Sequence, residues 1–114
     1  MAERRRYIRI PESLPIIYEV IPGQIRKEYV TKDISQSGMR FLTNEFIPKD
    51  SRLRIRIDFR ETSFNFETWV KCAWIRIMPY SDRYEIGVEF VDMPAKAAEY
   101  LINFIKNYLD ARVE

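Results

Sequence analysis

The sequence predicts a small antiparallel β-barrel of about six strands, followed by one amphipathic helix. Six segments are rich in β-branched and aromatic residues or alternate apolar with polar side chains, and turn residues separate them at close spacing. After Pro94 the apolar residues recur instead at three- and four-residue steps, the period of a helix. Because closure removes exposed strand edges, a barrel is the expected arrangement of these short strands.

The first half of the chain contains three of the predicted strands. The segments LPIIYEVIP (residues 14–22), IRKEYVTKDI (25–34) and MRFL (39–42) are dominated by strand-forming residues. The segment DISQSG, residues 33–38, therefore joins the second strand to the third. Its Asp, Ser and Gly residues suit a tight turn, and they also suit a small polar binding site.

The second half contains three more predicted strands. RLRIRIDF (52–59) places apolar side chains on one face and arginines on the other, and we interpret the arginines as a solvated face rather than a nucleic-acid stripe. FNFETWVKCAWIRIM (64–78) is long enough that we expect a bend or bulge near its middle. In RYEIGVEF (83–90), Gly87 on the polar side indicates either a bulge or close approach by another segment or a ligand.

The predicted helix places its apolar residues along one stripe, formed by Ala98, Leu101, Ile102, Ile105, Tyr108 and Leu109. An isolated helix of this kind is marginal in water, so we expect it to dock on the strands; a dimer interface is the alternative.

The predicted organisation is one domain over residues 1–114. It comprises a flexible basic arm (1–12), a barrel (13–92) and a helix (94–111).

The composition argues against catalysis. The chain has 114 residues, no histidine and 3 glycines, so it lacks the commonest general base and cannot build a glycine-rich phosphate loop. No metal-ligand spacing or nucleophile elbow is present, and we predict no metal and no catalytic residue. Cys72 has apolar neighbours, which predicts a buried, inert thiol.

Without a signal-peptide pattern or an apolar run of about 20 residues, the expected location is the cytoplasm.

The positive charge is concentrated at the start of the chain. The first nine residues contain Arg4, Arg5, Arg6 and Arg9 against the single acid Glu3, a local charge of +3. Because the whole chain carries +2, the other 105 residues carry −1. An arm of guanidinium groups predicts an anionic partner.

Two motifs together indicate which anion. Arg5 and Arg9 have R-x-x-x-R spacing, and Asp33, Ser35 and Gly38 have D-x-S-x-x-G spacing. With the strand-rich middle, IGVEF and the final helix, the chain resembles the PilZ domain family, receptors for the bacterial second messenger cyclic di-GMP. The resemblance covers essentially the whole chain. It implies the PilZ barrel with no cofactor, and cyclic di-GMP as the ligand.

The resemblance implies roles for these five residues. Arg5 and Arg9 would bind phosphate and guanine, because the planar arginine fork fits both groups. Asp33, Ser35 and Gly38 would form the site for the guanine edge, with the carboxylate accepting from guanine N–H groups and glycine permitting close backbone approach.

Four further residues are possible ligand contacts. Arg6 would contact phosphate or remain a solvated charge, and Trp74 would stack on guanine or belong to the core. Arg76 would bond an exposed guanine. Arg4 directly precedes Arg5 and gives R-R-x-x-x-R, which in PilZ domains favours binding of an intercalated nucleotide dimer. We therefore expect two ligand molecules per chain.

The leading hypothesis is a non-catalytic cyclic di-GMP receptor whose arm becomes ordered on binding and relays the change to a partner protein. One alternative is a sequence-tolerant binder of single-stranded nucleic acid, which the −1 charge outside the arm argues against. The other is a PilZ-fold adaptor that binds no nucleotide, which the intact motifs argue against.

Overall fold

A computed structural model describes residues 7–19 and 26–111, apart from the side chains of residues 26, 27 and 61. Its elements are β1 (Pro15–Glu19), β2 (Arg26–Ile34), β3 (Gly38–Thr43), β4 (Arg52–Phe59), a 3-10 turn (Arg60–Thr62), β5 (Phe64–Ile77), β6 (Tyr84–Val91) and α1 (Ala95–Ala111). Arg4, Arg5, Arg6 and the end of the first predicted strand (20–22) lie outside the described residues.

The six strands form a closed antiparallel barrel in the order β1-β2-β3-β6-β5-β4. β1 closes it by pairing with β2 on one side and with β4 on the other. The predicted six-stranded barrel with a C-terminal helix is therefore confirmed. Across the described residues, no helix combines the length and apolar character of a membrane span.

Alternating side chains fill the barrel interior. On β4 the apolar residues Leu53, Ile55, Ile57 and Phe59 are buried, whereas the arginines between them are exposed. Full burial of each such apolar side chain contributes about 1.5–3 kcal/mol. Cys72 is also buried, as predicted, and burial raises the pKa of its thiol.

The helix packs on the barrel, as expected. It buries Ala97, Leu101 and Ile105. The ring centroid of Phe59 lies 4.8 Å from that of Phe104 on α1, and edge-to-face pairs of this kind add to the burial of apolar area. Most of the apolar stripe is therefore used within the chain, but Ile102, which was predicted to belong to it, is 43% exposed, whereas Ala97 and Phe104 pack on the barrel.

Two β-bulges change which way the following side chains point. On β2 the register shifts between Thr31 and Asp33, and on β5 it shifts between Cys72 and Trp74, where a bulge was predicted. A bulge adds one residue to a strand, so a residue two positions on moves to the other face. Thr31 and Cys72 face the barrel interior, whereas the side chains of Asp33 and Trp74 lie on the outer face, where Asp33 is 8% exposed and Trp74 40%.

The end of the predicted arm is attached to the barrel. Ile10 is buried and exchanges two backbone hydrogen bonds with Ile34, at 2.9 and 3.0 Å. The hydroxyl of Thr31 donates to the carbonyl of Glu12 at 2.6 Å and accepts from the N–H of Leu14 at 3.0 Å. Residues 10–12, which the sequence assigned to a flexible arm, are thus held against β2.

Candidate ligand-binding site

Four residues from four neighbouring strands lie in line on the outer face of the barrel. The strand register pairs Asp33 on β2 with Arg40 on β3, Arg40 with Gly87 on β6, and Gly87 with Trp74 on β5. We call Asp33, Arg40, Gly87 and Trp74 the outer row. Both of its ends point outward because each follows a bulge.

Arg9 joins the arm to the outer row. Its Nη1 donates to Asp33 Oδ1 at 2.7 Å across a separation of 24 residues. The backbone bridge between Ile10 and Ile34 immediately follows this pair and holds the two side chains next to each other. The second arginine of R-x-x-x-R and the aspartate of D-x-S-x-x-G are therefore in contact.

A second arginine holds the other oxygen of Asp33. Arg40 Nη2 lies 2.6 Å from Asp33 Oδ2, and Arg40 Nη1 lies 3.0 Å from Glu85 Oε2. Within the described residues Arg40 Nε and Glu85 Oε2 are buried and make no hydrogen bond, so the contact to Glu85 is an ion pair without hydrogen-bond alignment. Arg40 thus links two carboxylates on neighbouring strands.

Glu85 is a buried carboxylate on the outer side of the sheet. Only 1% of its side chain is exposed, because cationic side chains cover it. Arg76 donates to Glu85 Oε1 from Nε at 2.7 Å and its Nη2 lies 2.6 Å from the same oxygen, while Lys32 Nζ lies 3.8 Å from Oε2. A buried charge is tolerated when it is paired in this way.

Ser35 and Gly38 form the turn beside Asp33. The N–H of Ser35 donates to the Gly38 carbonyl at 2.8 Å, and the hydroxyl of Ser35 accepts from the N–H of Ser37 at 3.1 Å. A Cβ on Gly38 would lie 2.0 Å from the carbonyl oxygen of Val88, so only glycine fits against β6 there. In this structure both residues shape the loop, and Ser35 is buried.

Trp74 lies over Gly87. A Cβ on Gly87 would come within 2.3–2.7 Å of three atoms of the indole ring. Trp74 is 40% exposed, so it belongs to the surface and not to the core. The close approach suggested by Gly87 is therefore the approach of an aromatic ring, and that ring offers an exposed surface at the end of the outer row opposite Asp33.

The outer row is only partly open to solvent, because Trp74 is exposed whereas Asp33 and Gly87 are buried. A groove of about 650 Å³ lies nearby, lined by residues that include Ile17, Val30, Lys32 and Arg56, but it contains no member of the row. A ligand on the row would be covered only by a segment closing over it. Arg9 shows that the segment preceding β1 reaches the row.

Sequence reasoning missed Arg40 and Glu85. The available signal for Arg40 was its position two residues after Gly38, which places both on one face of β3. Glu85 alternates with the apolar residues of β6, a pattern that by itself predicts an ordinary outward acid. Its burial depends on which arginines the neighbouring strands bring beside it.

The barrel, its helix and the paired motifs define a class of small β-barrel domain, and comparison with known proteins identifies it. The PilZ domain family matches residues 3–107, and the chain belongs to this family. No curated protein sequence matches the chain significantly.

Solved structures share the fold at low sequence identity. The Bacillus subtilis inhibitor of motility MotI/DgrA superimposes with a TM-score of 0.81 at 19% identity, covering 96% of this chain and 53% of that one. Escherichia coli YcgR in complex with c-di-GMP gives 0.78 at 18% identity, covering 96% and 48%. The PilZ domain of YcgR with c-di-GMP gives 0.73 at 17%, covering 96% and 95%. The chain spans about half the length of the first two.

Proposed function

We propose that this chain is a non-catalytic receptor that binds cyclic di-GMP on the outer row. The contact between Arg9 and Asp33 is the observation that carries the proposal, because it unites the two motifs that the family resemblance assigns to the ligand. Family membership supports it, and so do structural neighbours that were solved with c-di-GMP.

The chemistry of the row suits a guanine dinucleotide. The Asp33 carboxylate accepts hydrogen bonds, as the donor edge of guanine requires, while the Arg9 fork fits either phosphate or the O6 and N7 acceptors of guanine. The exposed Trp74 ring can stack on a base, which contributes about 1–3 kcal/mol per base. Arg76 is exposed over much of its length and is a further candidate contact.

The arm supplies charge that the barrel does not. Residues 1–9 carry +3 in side chains, including Arg4, Arg5 and Arg6, and cyclic di-GMP is a dianion. Ligand phosphates would neutralise these repelling guanidiniums and order the arm over the row. The ordered arm would then change the surface offered to a partner protein in the cytoplasm.

The extra arginine, Arg4, leads us to propose two nucleotides per chain.

Calorimetric titration of one sample with cyclic di-GMP, GTP and a short single-stranded oligonucleotide tests this proposal. A cyclic di-GMP receptor binds the first ligand saturably and the other two weakly or not at all at physiological salt. A nucleic-acid binder prefers the oligonucleotide, with strong salt dependence. A PilZ-fold adaptor gives no binding heat with any of the three.

A further inference from the structure

Asp33 is held by two arginines that differ in how firmly they are anchored. Arg9 takes Oδ1 and belongs to the segment before β1, whereas Arg40 takes Oδ2 and belongs to the central part of β3. Arg40 is additionally fixed by Glu85, which is 1% exposed. One oxygen of Asp33 is thus bound by the arm and the other by the barrel.

The ion pairs continue across the sheet in a fixed order. They run from Asp33 to Arg40, from Arg40 to Glu85, and from Glu85 to Arg76. The register of β2, β3, β6 and β5 sets this order, because each pair joins adjacent strands. Arg40 is therefore held in place by a buried carboxylate that does not belong to either motif.

Ligand binding as proposed above makes opposing demands on Asp33. When Arg9 turns to phosphate or to the guanine acceptor edge, Asp33 loses the partner of Oδ1, and that oxygen then accepts from guanine. A carboxylate in a partly desolvated place that loses a charged partner is poorly compensated, and it is then also free to rotate. Something must keep Asp33 oriented and compensated during this exchange.

We propose that Arg40 is a positioning residue for base recognition. By holding Oδ2, it keeps the Asp33 carboxylate paired and oriented while Oδ1 passes from Arg9 to the guanine edge. Arg40 acts through Asp33, with Glu85 as its anchor, and does not itself bind the nucleotide. This inference rests on the proposed function, which it deepens by adding a residue that determines selectivity for guanine.

A double-mutant cycle tests the proposal. Cyclic di-GMP is titrated into the wild-type chain, Arg40→Gln, Asp33→Asn and the double variant, and each is also titrated with cyclic di-AMP. We expect Arg40→Gln to weaken cyclic di-GMP binding by about 10-fold or more and to reduce the preference for guanine over adenine. In the Asp33→Asn background, the same substitution should cost less than about 3-fold.

Arg54→Gln is the matched control. Arg54 is also an outward strand arginine paired with a carboxylate, Glu67 at 3.4 Å, but it lies on β4, three strands away from β3. Its substitution should leave both affinities unchanged. If Arg40→Gln does not fold, Arg40→Lys replaces it, since one ammonium cannot reproduce the link between two carboxylates and should also lose guanine preference.

The outcomes separate the inference from the proposed function. If the wild-type chain does not bind cyclic di-GMP, the proposed function fails and the inference fails with it. If the wild type binds but Arg40→Gln loses as much in the Asp33→Asn background as alone, Arg40 contacts the ligand and the inference is wrong. Unchanged affinity, or equal loss for both dinucleotides, also overturns it.

Discussion

Arg9→Ala should weaken cyclic di-GMP binding while leaving the fold almost unchanged. Arg9 Nη1 lies 2.7 Å from Asp33 Oδ1, and the Arg9 side chain is 28% exposed, so it is close to the row and still reachable by a ligand. A hydrogen bond to a charged group contributes about 1.5–3 kcal/mol, which corresponds to roughly 10- to 150-fold in affinity. The free energy of unfolding should fall by only about 0–1 kcal/mol, because Arg40 still pairs with the other oxygen of Asp33.

Titration calorimetry at matched salt, with thermal unfolding of each variant, measures both effects. Arg9→Lys should also lose affinity, because a point charge cannot make the forked contact. Arg54→Ala removes an outward arginine on β4 and serves as the control for a general loss of positive charge. If Arg9→Ala binds like the wild type, the arm does not clamp the ligand and the reasoning from the Arg9–Asp33 contact fails.

Three other substitutions test separate parts of the account. Asp33→Ala should weaken cyclic di-GMP binding more than cyclic di-AMP binding in parallel titrations, because the carboxylate recognises the base edge; equal losses would remove it from that role. Arg4→Leu should lower the number of nucleotides bound per active chain from two towards one, and calorimetry that finds one in the wild type would refute this. Gly38→Ala should destabilise the fold by about 1–3 kcal/mol or more in chemical denaturation, because its Cβ would meet the Val88 backbone. Gly87→Ala, which meets only a side chain, should cost less.

The strands and the helix could be predicted because the spacing of their apolar residues is visible in the sequence. β4 alternates without interruption, and its predicted bounds, 52–59, match the observed ones. The bulge in β5 could also be predicted, because a strand of 14 residues is unusually long and rarely stays regular throughout. The bulge in β2 had no such signal, since the shift between Thr31 and Asp33 follows from pairing with β3.

The motif residues were recognisable, but their separate contributions were not. Sequence spacing could not show that Ser35 is buried in the turn, that Gly38 packs against β6, and that Asp33 lies on the outer face beneath two arginines. Arg40 and Glu85 escaped notice because an ion pair across strands depends on register, and register is a property of the folded sheet. Local sequence patterns therefore predict the secondary-structure elements. The site itself is completed by side chains that are far apart in the sequence and adjacent in the sheet.

The two tryptophans provide the most direct test of where the ligand binds. Trp74 lies in the outer row, whereas Trp69 lies five residues earlier on β5, beside Arg54, whose guanidinium is 5.9 Å from the centroid of its ring. They are the only tryptophans in the chain, so a ¹H–¹⁵N spectrum should contain two indole signals, which Trp69→Phe assigns. On titration with cyclic di-GMP, the Trp74 signal should shift or broaden saturably while the Trp69 signal stays nearly fixed. A saturating titration that leaves both signals in place, or moves only Trp69, would contradict binding on the outer row.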